Sequence, residues 1–225
     1  MYMDEIIKAE EGEIFDIELE EDFLEKNMKI AEENKTLLKK YGIIAIDVMG
    51  SIGSGKTSLI ERLIERLKTK YRIAVINGDL TTSIDCDIIK RHGVKVIQIN
   101  TGKECHLDAN LVKKALKKID IQDINVLFIE NVGNLICPAD FPLGADKRIV
   151  VISVTEGPYM VVKHPFIFAE ANVVVINKID LAKAMDVDVN KLESDVKSVN
   201  PNAKVIKTNC KAGEGIIEVI KALNL

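Results

Sequence analysis

From residue 43 onward the chain alternates between short unbroken apolar runs and stretches with helical spacing. The runs are IIAIDVM (43–49), IAVING (73–78), VKVIQI (94–99), NVLFIE (125–130), RIVVISV (148–154), NVVVINK (172–178) and KVIKT (204–208). Each is rich in β-branched residues and apolar at successive positions, the pattern of a strand covered on both faces. Helical patterns at 56–68, 82–91, 108–119, 188–199 and 213–224 separate most of them. This alternation predicts an α/β fold with a doubly wound, mostly parallel seven-stranded sheet and helices on both faces.

Ahead of it, residues 21–40 predict one amphipathic helix. Phe23, Leu24, Met28, Ile30, Ala31, Leu37 and Leu38 supply its apolar face, acids lead, lysines close, and Gly42 can stop it. Residues 1–15 read as a mobile acidic tail. The expected division is therefore 1–40, acidic tail and N-terminal helix, and 41–225, a single nucleotide-binding domain. The connection 131–147 is long for a compact domain, and connections of that size usually carry function.

Charge sharpens that division. Residues 1–40 hold thirteen acids against six lysines, a net of −7, so the remainder carries about +3 of the overall −4. The chain has no basic footprint for nucleic acid, and aromatics at 4% with no Trp leave little for base stacking. The N-terminal stretch lacks the basic and apolar regions of a signal peptide, and no run reaches the ~18–20 residues of a membrane span. These features predict a cytoplasmic protein with no nucleic-acid or membrane partner. Its four cysteines are then expected as thiols: metal ligands, reactive groups or core residues.

The chemistry begins where the first run ends. Gly50, Ser51, Gly53, Ser54, Gly55, Lys56, Thr57 and Ser58 lie in GSIGSGKTS, a GxxxxGK[ST] loop between a strand and a helix. Small residues let backbone N–H groups wrap phosphates, Lys56 can reach the outer phosphates, and the Thr57 hydroxyl can meet Mg²⁺. This marks a P-loop NTPase. Asn177-Lys178-Ile179-Asp180 follows the run NVVVI and matches the NKxD pattern of GTPases. A carboxylate there can accept both guanine N–H donors, which adenine lacks. Asn209-Cys210-Lys211-Ala212-Gly213-Glu214-Gly215 resembles the SAKxGEG base loop, with Cys210 and Lys211 as base contacts; a plain turn opening a helix is its rival. Asp79, Asp85 and Glu130, near strand ends, are candidate Mg²⁺ carboxylates beside Thr57, with Thr81, Thr82 and Ser83 in the same switch stretch; helix capping by Asp79 or the threonines is the alternative. No Gln follows Glu130-Asn-Val-Gly, and Ser51 stands where a signature-lysine subclass carries Lys. Slow unassisted hydrolysis of GTP to GDP and phosphate is expected, with Lys56, Thr57, Asp79 and Glu130 as its catalytic groups.

Cys105-His106 and Cys137 form a second set. Thiolate and imidazole suit Zn²⁺ or Ni²⁺, and three ligands invite a fourth from water or a second subunit. Read alone, they could equally be packed thiols and a capping His. His92, at a helix end before Gly93, reads as a cap, His164 as a helix boundary or surface loop residue, and Cys86 as a packed thiol.

Taken together, GSIGSGKTSLIERL, TGKECHLDANLVKKAL, LFIENVGNLICPADFPLG, VVISVTEGPYMVVKHPFIFAEANVVVINKIDLA and CKAGEGI resemble the hydrogenase nickel-incorporation GTPases, the HypB family, over roughly residues 20–225. The resemblance implies GTP with Mg²⁺, Zn²⁺ or Ni²⁺ at Cys105, His106 and Cys137, and a homodimer when GTP-bound. It also implies two partners, a nickel-carrying accessory protein and the large subunit of nickel–iron hydrogenase. The chain carries neither the CxxCGC motif nor the His-rich tract of some members, so a separate N-terminal nickel site is not expected. A urease-type nickel accessory GTPase is the nearest alternative, although that pattern has Cys-Pro-His. A P-loop small-molecule kinase has no use for NKxD, and a passive metal module has no use for the nucleotide motifs.

Overall fold

All seven expected strands are present in the computed structural model, which describes residues 6–8, 20–80, 84–102 and 104–225. The strands are β1 (Ile6–Lys8), β2 (Ile44–Gly50), β3 (Ile73–Asp79), β4 (Lys95–Asn100), β5 (Val126–Glu130), β6 (Lys147–Ser153), β7 (Val173–Asn177) and β8 (Lys204–Lys207). They form one sheet in the order β1-β4-β3-β5-β2-β6-β7-β8, parallel at every pairing. The eighth strand, β1, corrects part of the expected mobile tail: Ile6 lies opposite Gln98 and Lys8 opposite Asn100. An edge strand offers a row of unpaired backbone groups, and the backbone of β1 pairs with those of β4. The rest of that tail, with Thr81, Thr82, Ser83 and Lys103, lies outside the described residues.

The helices are α1 (Glu20–Lys40), α2 (Lys56–Leu67), α3 (Ile84–Lys90), α4 (Ala109–Leu116), α5 (Met160–Lys163), α6 (Pro165–Ala169), α7 (Val189–Val199) and α8 (Ile216–Ala222). Because strand side chains alternate, each buried strand feeds both faces. Ile46 and Val48 of β2 join α2, α3 and α8 in one apolar cluster. On the opposite face Ala45 packs with α1 and α4, while Met49 packs with α5, α6 and α7.

The packing face of α1 keeps Ala31 and Leu38 of the expected apolar set but leaves Met28 and Leu37 outside it. Met28 is 62% exposed and Leu37 37%, while Asn27, Ala31, Asn34 and Leu38 are buried. The two asparagines are there to satisfy backbone. Asn27 accepts from Ala109 N (2.7 Å) and donates to Pro142 O (3.0 Å); Asn34 donates to Ala109 O (2.8 Å) and Leu143 O (3.1 Å). Ala109 opens α4, where an N–H has no partner inside the helix. So α1 fastens both the start of α4 and the long connection after β5.

Candidate functional site: a phosphate loop beside a thiol–imidazole cluster

Gly50 ends β2 at the centre of the sheet, and the loop after it turns into α2 through Gly55, whose φ of 103° is left-handed. A Cβ at Gly55 would sit 2.2 Å from Asn177 Nδ2, so this turn admits only glycine. Lys56 is buried, and its ammonium donates to the carbonyls of Gly50 (3.1 Å) and Ser51 (2.9 Å). Burial lowers its pKa, opposed by the charges of Glu130, Asp85, Glu156 and Asp79.

Glu130, at the end of β5, is the focus of the carboxylate group. Thr57 Oγ1 donates to one oxygen at 2.6 Å and Asn77 Nδ2 to the other at 2.9 Å. Burial, reinforced by the charge of Asp85, pushes its carboxyl up to about 7, against the pull of Thr57, Lys56 and Asn77. Asp79 accepts from Leu80 N at 2.6 Å. Lys56, Thr57, Asp79, Asp85 and Glu130 all line one cavity of about 560 Å³, which Ser58 also borders.

The base motifs converge on the same loop. Asn177 donates to Ser54 O at 2.9 Å, and its carbonyl accepts from Thr208 Oγ1 and Cys210 N, both at 3.1 Å. One side chain thereby ties the phosphate loop to the loop after β8. Lys178, left-handed at φ 61°, donates to Gly53 O at 2.7 Å. Asp180 and Lys211 are exposed at the rim. Cys210 differs from the others: its thiol is buried in the apolar core and its N–H is committed to Asn177, so this residue offers the rim no side chain. Arg62 of α2 holds the backbone carbonyls of Cys210 and Lys211, each at 3.0 Å.

The structure also gathers Cys105, His106 and Cys137, their ligand atoms all within 4.8 Å of one another. Cys105 Sγ lies 2.8 Å from Cys137 Sγ and 3.8 Å from His106 Nδ1. His106 stacks on Phe141 at 3.9 Å between centroids, and burial drives its pKa down to about 4. Burial, with Cys137 beside it, pushes the Cys105 thiol up to about 11. Two sulfurs and a neutral imidazole at this spacing fit a soft or borderline divalent ion.

Asn131 joins the two halves. Its carbonyl accepts from Leu107 N and Val132 N, both at 3.0 Å, and its amide donates to Asp47 Oδ1 at 3.3 Å. It adjoins Glu130 in sequence and holds the residue after His106. Among the described residues one further group of potential ligands comes together, Glu61, Glu65 and His92. His92 Nε2 meets Glu61 at 2.9 Å, fastening the turn after α3 to α2, and Glu65 is paired with Arg62 of its own helix at 2.8 Å, so two of these side chains already have partners. His92 thus does more than end a helix.

Residues 44–207 match the family model for the CobW/HypB/UreG nucleotide-binding domain. The chain is 52% identical to a probable hydrogenase maturation factor HypB of Methanocaldococcus jannaschii, over 91% of this chain and 93% of that protein. Its fold is similar to the crystal structure of hydrogenase maturation factor HypB from Archaeoglobus fulgidus, with TM-score 0.83, 48% identity, and 88% and 97% of the two chains covered. It is also similar to HypB from Helicobacter pylori in complex with nickel, with TM-score 0.83, 33% identity, and 88% and 94% covered. The chain belongs to the HypB family.

Two features of this HypB-family chain escaped the sequence reading. Glu156 accepts from the Ser51 hydroxyl, and burial raises its carboxyl to about 7. An acid just past a strand that ends beside the phosphate loop was the available signal. The second is an exposed apolar rim: Ile52, Ile84, Ile136, Tyr159, Val162 and Phe166 are 59–82% exposed. All sit in segments that follow the carboxyl ends of β2, β3, β5 and β6. Among the described residues, no helix is long and apolar enough to cross a membrane.

Proposed function

We propose that this protein is a GTP-hydrolysing metallochaperone that assists nickel insertion into nickel–iron hydrogenase, using nucleotide state to control a Cys/His metal site at a dimer interface. The observation that carries the reading is the shared connection after β5. It begins at Glu130, which bonds Thr57, and reaches Cys137, 2.8 Å from Cys105. Movement of Glu130 with the nucleotide would be transmitted to a ligand seven residues on.

In this reading Lys56 faces the β/γ phosphates and the backbone of Gly50–Thr57 cradles them. Thr57, Asp79, Asp85 and Glu130 offer oxygen donors only, a set that fits Mg²⁺, which when bound neutralises phosphate charge. Asn177 and Lys178 shape the base side, Asp180 selects guanine, and Lys211 borders the base. The exposed apolar rim supports closure of two copies over the nucleotide, with exposed Lys163 our candidate to reach the partner's phosphates. Cys105, His106 and Cys137 hold Ni²⁺ or Zn²⁺ as cargo, received from a nickel-carrying accessory protein and passed toward the hydrogenase large subunit. Residues 41–225 form the GTPase unit, with 1–40 as an appendage.

The test is metal titration of the purified protein with GDP and with a non-hydrolysable GTP analogue, followed by sedimentation. A dimer and a changed metal affinity with the analogue are expected. The same monomer and the same affinity in both states, across micromolar concentrations, would remove the switch.

Guanine selection has its own test. Asp180→Asn should lose the acceptor for the two guanine N–H groups, weaken GTP binding by roughly 10²-fold or more, and favour xanthine nucleotides. Equal GTP affinity in parent and variant, measured by calorimetry, would show that another group reads the base.

A further inference from the structure

A buried acid interrupts the most central apolar strand. Asp47 lies in the middle of β2, between Ala45 and Met49 on the sheet face that carries α1, α4 and α7, at the seam between two apolar clusters. It is 1% exposed. Its Oδ1 accepts from Asn131, but its Oδ2 has no hydrogen-bond partner among the described residues. A buried carboxylate oxygen without a partner is costly, so such groups usually meet a ligand, an ion or water. Burial accordingly pushes this carboxyl up to about 7. The charge of Arg148 of β6 opposes that rise, but its guanidinium bonds Glu170 and gives Oδ2 no hydrogen bond.

Asp47 borders a cavity of about 320 Å³, near the lower end of small-molecule sites and far larger than the ~30 Å³ of one water. Its walls are fixed. Asn27 and Asn34 hold the carbonyls of Pro142 and Leu143, and Gly144, at φ 91°, runs so close to α1 that a Cβ would sit 2.4 Å from Ala31 O. The charged lining is Glu32, Asp47, Asp146 and Glu170 against Lys35 and Arg148, an excess of acid. These carboxylates do not converge as metal ligands do. The groups of three ligand atoms within 4.8 Å found among the described residues are both elsewhere. A cavity with dispersed acceptors and a carboxylate at its wall with one oxygen unsatisfied suits N–H donors on an extended cation better than a bare ion.

We propose that this cavity is a second ligand site, distinct from the nucleotide and metal sites, which takes the ammonium or guanidinium group of a small organic cation on Asp47. The occupant is coupled to the functional edge by a single side chain. Asn131 bonds Asp47 with its amide and Leu107 N with its carbonyl, and it stands next to Glu130. A ligand that draws Asp47 toward itself pulls on the side chain that positions the Cys105-His106 loop.

The probes are agmatine, putrescine and free arginine, titrated into the full chain by calorimetry, with 1-butanol as a neutral analogue and MgCl₂ as an inorganic cation. Saturable binding of at least one amine probe at one per chain is expected, with no binding of butanol. Asp47→Asn should weaken that binding at least tenfold. This variant removes a buried charge, so it should resist urea at pH 8 at least as well as the parent, which separates lost binding from lost folding. Ala145→Met, which fills the cavity and leaves Asp47 in place, should also abolish binding. The proposal is overturned if no amine probe saturates by about 10 mM, if binding survives both substitutions, or if Asp47→Asn removes a Mg²⁺ signal instead.

Discussion

Lys56→Ala should reduce GTP hydrolysis by roughly 10²–10³-fold, about 3–4 kcal/mol at the transition state, as expected for loss of one preorganised charge contact in a water-poor site. The ammonium is already in place. It is buried and held by the carbonyls of Gly50 and Ser51, and the charges of Glu130, Asp85, Glu156 and Asp79 oppose the lowering of its pKa by burial. Transfer of a phosphoryl group leaves the protein little to do beyond positioning and charge neutralisation, so a fixed cation carries much of the catalysis. Thr57→Ala should be comparably damaging for a different reason. Among the described residues, its hydroxyl and the Asn77 amide are the side-chain donors on Glu130. Losing it would remove an oxygen donor from the proposed Mg²⁺ site and free the carboxylate at the start of the connection to Cys137. Single-turnover phosphate release at saturating GTP measures both. Near-parental rates in the two variants would take the phosphate loop out of the mechanism.

The fold and the nucleotide edge were legible because their physics is local. A strand buried on both faces must be apolar at consecutive positions, and a loop that wraps phosphate must be small and glycine-rich, so β2 and Gly50–Thr57 declare themselves in sequence. Asn27, Asn34 and Asp47 were not legible, since a polar residue earns a buried position only through a partner far away in sequence. Asn34 serves carbonyls at 109 and 143, and Asp47 meets Asn131. The short helices α5 and α6 were hidden by Pro165, which reads as a break but occupies the first helical position, where its missing N–H costs nothing. Cys210 shows the opposite error. Its place in a base-contact motif suggested a rim residue, whereas the alternation after β8 turns its thiol into the core beside α2 and α8.

That contrast among the cysteines bears on the metal. Cys86 and Cys210 are buried within the apolar core, whereas Cys105 and Cys137 are half-buried, outside every apolar cluster, with a neutral imidazole beside them. Cys105→Ala and Cys137→Ala should therefore each weaken Ni²⁺ or Zn²⁺ binding by about 3 kcal/mol, roughly 100-fold, which is one ligand's share of a four-ligand zinc site. The pair sits on two loops, one after β4 and one after β5, at the carboxyl edge where ligands of such sheets bind. Three ligands per chain leave a tetrahedral ion short of one, so a closed dimer with six could share one ion or bridge two through thiolates. Opening the dimer after hydrolysis would strip that shell and loosen the ion for transfer. Affinity should also fall as pH falls, because protons compete for the thiolates. Zn²⁺ should bind tetrahedrally, while Ni²⁺ with thiolate ligands should give the absorption of a square-planar site. Metal content per chain, measured in the dimer formed with a GTP analogue, decides the matter. Should both variants keep the parental stoichiometry and affinity, the two cysteines are packing residues and the ion is held elsewhere.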